Sequence, residues 1–117
     1  MYTPGQVADK TGFSLDTLRY YERIGLLDGI GRTPGGRRVF TDDDLDWLDV
    51  LRCLRDTGMP IAAMLRYAHL CRAGQGTIAE RIGLLEEHDR AVDRQIRDLR
   101  AQQRHIRDKI AWYRAHS

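Results

Sequence analysis

The chain of 117 residues carries 19 basic and 17 acidic side chains, a net charge of +2, and 42% apolar residues. That length holds one modest domain, or a small domain plus one long element, and the composition is too apolar for a disordered chain. With no leader-like segment, no bilayer-length apolar run, and only Cys53 and Cys71, neither a secreted disulfide framework nor a membrane protein is expected, and the chain reads as cytoplasmic.

The first element starts at Thr3, which can cap a helix, with Pro4 at the first helical position and Gln6 completing a capping box. Val7 and Ala8 supply its buried side and Gly12 ends it. Ser14 caps a second helix, in which Leu15, Leu18 and Tyr21 recur at helical spacing before Gly25 stops it. Two short helices joined by a tight turn containing Gly form a helix-turn-helix pattern. On the second helix Thr17, Arg19, Tyr20 and Arg23 fall outward, as on a recognition helix entering a major groove. Arginine can take a phosphate or a guanine edge, and the Thr and Tyr hydroxyls can hold phosphates.

Leu26 and Leu27 return to the core, and a Pro34-Gly35-Gly36 tip between short flanks predicts a two-stranded hairpin. Its arms carry Arg32, Arg37 and Arg38 beside the recognition helix, like a wing. This focuses positive charge that the count hides, because residues 1–60 hold eight basic and ten acidic side chains. Arg32 has an alternative, pairing with an aspartate of this acid-rich half. Thr41 and the run Asp42–Asp44 then open a helix, the acids matching its dipole. Leu45, Trp47, Leu48, Leu51, Cys53 and Leu54 read as its apolar side, up to a stop near Gly58. Pro60 opens another helix with Ile61, Met64, Leu65, Ala68 and Leu70 for packing, ending at Gly74 or Gly76.

From Thr77 the spacing alternates three and four through Ile82, Leu85, Asp89, Val92, Ile96, Leu99, Gln103, Ile106, Ile110 and Tyr113, a heptad repeat. A helix of about 35 residues rises ~50 Å. It has no second long helix in its own chain, so a partner chain is expected along Ile82, Leu85, Val92, Ile96, Leu99, Ile106 and Ile110. The expected fold is mainly α: a winged helix-turn-helix over residues 1–74 with a small β-hairpin wing, and a dimerisation coiled-coil helix over 75–117.

The first 70 or so residues resemble the MerR family of bacterial transcription regulators. Tyr2-Thr3, Gln6-Val7-Ala8, Thr11-Gly12, Thr17-Leu18-Arg19-Tyr20-Tyr21-Glu22 and Gly25-Leu26-Leu27 match its N-terminal signature, and Gly36, Arg38 and Phe40 match its wing. Arg37 stands where the family often has an aromatic, Phe40 replaces a common Tyr, and Pro60 replaces a polar cap. The resemblance implies a homodimer with an antiparallel coiled coil, bound to a pseudo-palindrome between promoter hexamers. The effector-bound dimer would bend and underwind an overlong spacer for RNA polymerase, a control exerted through DNA deformation. It makes Arg19, Tyr20, Arg38 and Thr17 the leading DNA contacts and Tyr21 structural.

The metal-responsive relatives carry a cysteine near the start of the long helix and a cysteine loop after it; this sequence has neither, and no metal or cofactor is expected. Arg52-Cys53-Leu54-Arg55-Asp56-Thr57-Gly58-Met59 instead resembles the branch that answers aldehydes and other thiol-reactive electrophiles. Tyr67, Thr77–Arg81, Leu84-Leu85, His88, Lys109-Ile110 and Tyr113 support that placement. The resemblance makes Cys53 the sensor; the plain reading of the residue is a small apolar side chain packed between helices. An effector-independent or noncovalent-ligand-responsive DNA binder is the alternative. No nucleophile–base–orienter set or phosphate-cradling loop suggests an enzyme.

Overall fold

The computed structural model describes residues Met1–Ser117. The elements run α1 (Pro4–Thr11), α2 (Leu15–Ile24), β1 (Gly31–Arg32), β2 (Arg38–Val39), α3 (Asp42–Asp56), α4 (Ile61–Arg72), a 3-10 turn (Gln75–Thr77) and α5 (Ile78–Ala115). They divide into two compact units, Met1–Ile78 and Ala79–Ser117. The 3-10 turn belongs to the first, where the Thr77 hydroxyl donates to the carbonyls of Leu70 (2.6 Å) and Gly74 (2.8 Å).

Helix α1 starts as the local chemistry dictates. Thr3 Oγ1 accepts the Gln6 N–H at 3.2 Å, and the Gln6 side chain accepts the Thr3 N–H at 2.9 Å. Gly12 ends it at φ +79°, with its N–H on the Ala8 carbonyl. Thr41 and Asp44 form the same reciprocal box at the start of α3. The buried Thr11 hydroxyl donates to Val7 and accepts the Phe13 N–H, so the turn between α1 and α2 is stitched from within.

Val7, Phe13, Leu26, Phe40, Leu48, Leu51 and Met64 are wholly buried and form the core that α1 to α4 share. Leu18 and Tyr21 seat α2 on it. Trp47 lies nearly parallel to Tyr67 at a ring separation of 5.9 Å, joining α3 to α4, and its indole N–H donates to the Leu26 carbonyl at 2.8 Å.

The wing pairs Gly31 with Val39 and Arg32 with Arg38 across an antiparallel ladder. Its turn closes through the Gly36 N–H on Thr33 (2.8 Å) and the Thr33 N–H on Arg37 (2.7 Å). Gly36 adopts φ +84°, so its lack of a Cβ is required there. The chain start adds a further bridge: Tyr2 and Phe40 exchange both backbone hydrogen bonds at 2.8 Å.

Three placements differ from the sequence reading. Cys53 is exposed, not part of the apolar face of α3. It lies two residues from Leu51, about 200° around the helix, so the Leu48–Leu51 side that meets the core turns Cys53 away. Leu15 and Ile61 are also exposed, at the first positions of α2 and α4.

Helix α5 is 38 residues long, about 57 Å at 1.5 Å per residue. It contains no buried residue. Ile82, Ile96, Leu99, Ile106 and Ile110 form an exposed apolar stripe, with Leu85 and Val92 half-covered. Near its end Trp112, itself half-exposed, stacks on His116 at 4.2 Å.

Candidate nucleic-acid interface

The outward side of α2 and the wing lie side by side. Thr17 is half-buried, and its hydroxyl accepts from Ser14 at 2.9 Å while Ser14 caps the Thr17 N–H at 3.1 Å. Arg19 is exposed, 3.6 Å from Asp16 in a loose helical pair of little energetic weight. Tyr20 is exposed, and the Arg23 guanidinium sits 5.4 Å from its ring centre. Arg37 stands exposed beyond the hairpin turn.

Glu22 joins the two parts. The Arg38 Nε–H donates to both Glu22 carboxylate oxygens, at 2.9 and 2.7 Å. Arg32 Nη2 lies 3.9 Å from the same carboxylate, while Arg32 Nη1 donates to the Gly36 carbonyl at 3.0 Å. The partner of Arg32 is therefore a glutamate of the recognition helix, not an aspartate. Arg19, Glu22 and Arg38 line one groove with Pro4, Leu18 and Phe40. The structure thus gathers Arg19, Arg32 and Arg38 around Glu22, with Tyr20 and Arg23 stacked together on α2. Sequence reading missed this junction. A glutamate set between Arg19 and Arg23 on the arginine-bearing helix was its visible sign.

A second anchorage reaches the turn from α3. Arg52 Nη1 donates to the Thr11 carbonyl at 2.6 Å, its guanidinium lying against Gly12, where an added Cβ would stand 3.0 Å away. Arg55 covers the Phe13 ring at 4.5 Å, and Phe13 meets Tyr21 edge-on at 5.4 Å. Asp56 pairs with both arginines, at 3.5 Å to Arg52 and 2.9 Å to Arg55. Burial raises the Tyr21 phenol above its ordinary value, with Arg55 pulling the other way. Tyr21 is a core residue here, and Cys53 sits exposed between the two arginines in sequence.

A cleft of about 330 Å³ opens beside Trp47, Ala68, Cys71 and Arg72, with Asp28, Asp43 and Asp44 around it. Arg72 donates to the Leu26 carbonyl at 3.2 Å and lies 3.9 Å from Asp28. No group of three or more His, Cys, Asp or Glu side chains is placed to hold a metal ion. No helix is long and apolar enough to cross a membrane.

A helix-turn-helix whose second helix and wing together offer arginines on one side defines a winged DNA-binding transcription regulator. The chain belongs to the MerR family, the model for the MerR HTH family regulatory protein matching residues 2–69. An uncharacterized HTH-type transcriptional regulator of Haemophilus influenzae is 41% identical over 112 residues, covering 96% of this chain and 83% of the relative. The crystal structure of HiNmlR, a MerR family regulator lacking the sensor domain, bound to promoter DNA, superposes with a TM-score of 0.90. It is 41% identical, over 97% of this chain and 86% of that one. The HTH-type transcriptional regulator AdhR of Bacillus subtilis is 35% identical over 89 residues, covering 75% of this chain and 64% of the relative. These relatives are regulators of transcription, not enzymes.

Proposed function

We propose that this regulator acts as a cytoplasmic homodimer that distorts promoter DNA for RNA polymerase in response to a thiol-reactive electrophile, such as an aldehyde, taken up by Cys53. The observation that carries this reading is the position of Cys53. It is exposed on α3, and its sequence neighbours Arg52 and Arg55 anchor the turn of the helix-turn-helix. A group added there is covalently fixed beside the contacts that set the recognition helix.

The chemistry needs no co-reactant. The sulfur lone pair of the thiolate forms a C–S bond to the carbonyl carbon, the C=O π pair moves to oxygen, and that oxygen takes a proton from water. The product is a hemithioacetal, and the step reverses when the electrophile is depleted. Dimerisation rests on the exposed stripe of α5, which a second copy would cover in an antiparallel coiled coil. Thr17, Arg19, Tyr20, Arg23, Arg32, Arg37 and Arg38 would meet the duplex. The promoter-bound state of HiNmlR supports the DNA-facing assignment.

The test is transcription in vitro from the promoter nearest its own gene. Wild type and Cys53→Ser are each run with and without a small aldehyde in thiol-free reducing buffer. Induction is expected in the wild type alone, with operator binding retained in both. Equal induction by Cys53→Ser would sink the thiol-sensing reading. A response in both proteins would favour a noncovalent effector, for which the Trp47–Arg72 cleft is the observed space.

A further inference from the structure

Glu22 is the feature that a DNA-binding role alone leaves unexplained. It places a carboxylate on the side of the protein that faces phosphates, among Arg19, Arg23, Arg32, Arg37 and Arg38. Electrostatics alone would disfavour it there, since each added negative charge opposes the duplex.

The geometry gives it a different task. The wing has two residues in each strand, far too short to hold its own orientation. Its register also puts Arg32 directly opposite Arg38, and like charges facing one another across a ladder are destabilising. The Glu22 carboxylate sits against both: bifurcated on Arg38 Nε at 2.7 and 2.9 Å, and 3.9 Å from Arg32 Nη2. The pair is three-quarters shielded on the Glu22 side, with side-chain exposures of 25% and 34% for Glu22 and Arg38, so it is a junction within the fold. Both hydrogen bonds to Glu22 come from Arg38 Nε, so the outer edge formed by the two terminal nitrogens is left for a phosphate or a guanine edge. The Tyr2–Phe40 bridge pins the other end of β2.

We infer that Glu22 is a positioning residue for DNA recognition: it fixes the angle of the wing on the recognition helix and presents the outer edge of Arg38 to the duplex. This inference rests on the DNA-binding reading above. It predicts a sign opposite to charge counting. Removing the carboxylate raises the net positive charge, so binding to any duplex should tighten if charge were the whole effect. A positioning role requires specific binding to weaken while non-specific binding holds or strengthens.

The experiment uses a duplex selected from a random pool by the full-length wild-type chain, and a scrambled duplex of equal length. Dissociation constants for both are measured at two salt concentrations for wild type, Glu22→Gln and Glu22→Asp. The Asp variant keeps the charge and shortens the reach by one methylene, so it separates position from charge and guards against a Gln variant that folds poorly. The specific-to-non-specific ratio is expected to fall on the order of tenfold in both variants, the scale of one charge-assisted contact. Ratios unchanged from wild type, or a Glu22→Asp protein equal to wild type beside a Gln variant that tightens on both duplexes, would overturn it. A wild type that selects no duplex would sink the DNA-binding reading itself, and this inference with it.

Discussion

Leu99 is the most exposed residue of the α5 stripe at 65% and lies midway along the helix, so it is the position at which the proposed dimer is most open to challenge. Covering a leucine fully contributes about 1.5–3 kcal/mol, so covering its exposed two-thirds contributes about 1–2 kcal/mol per copy. A two-fold interface uses the residue twice, giving about 2–4 kcal/mol for the pair. At ~1.4 kcal/mol per decade, Leu99→Asp should raise the dimer dissociation constant roughly 30- to 700-fold, before any penalty for seating a carboxylate in an apolar seam. Sedimentation equilibrium over a wide concentration range reads this directly. Ala101→Asp, two positions on and on the opposite helix face, introduces the same charge and should leave association unchanged. A Leu99→Asp protein that dimerises as tightly as wild type, or an Ala101→Asp protein impaired to the same degree, refutes the seam.

Arg52→Met keeps the alkyl stem but leaves the Thr11 carbonyl without its donor. With the half-exposed Asp56 pair counted at little, a loss of about 1–2 kcal/mol is expected as a lower urea midpoint at constant slope, and an unchanged midpoint would dismiss the clamp. The Tyr2 phenol is raised above 10.0, chiefly by its hydrogen bond to Asp42 at 2.6 Å and then by the charge of Asp42. A folded value above the unfolded one means that this contact stabilises fully below pH 10 and is lost as pH rises through the folded value. Ultraviolet absorbance titration of the phenolate should place the Tyr2 step, identified by difference from Tyr2→Phe, at lower pH in Asp42→Asn; an unmoved step contradicts the assignment.

The sequence announced what local chemistry controls. Thr3, Pro4 and Gln6 dictate a helix start, Gly12 and Gly25 dictate stops, and Gly36 requires a left-handed turn, so the helix-turn-helix and wing were legible before any coordinates. The heptad from Ile82 to Tyr113 was equally plain, since one long helix needs only its own periodicity. What was hidden depends on distance along the chain. Arg52 and Thr11 are 41 residues apart, and Arg38 and Glu22 are 16 apart; no spacing rule joins them. Cys53 was drawn into the apolar face by its residue type, although its angle from Leu51 turns it outward. The arginines were readable as candidates, but the carboxylate that organises two of them was not.

The two tryptophans divide between the two units. Trp47 is locked between Tyr67 and the Leu26 carbonyl, whereas Trp112 lies far along α5, half-exposed against His116. The molecule therefore carries its own pair of optical reporters. One fluorophore follows the integrity of the winged unit, the other follows the end of the long helix, and a single Trp→Phe replacement isolates either signal without a dye.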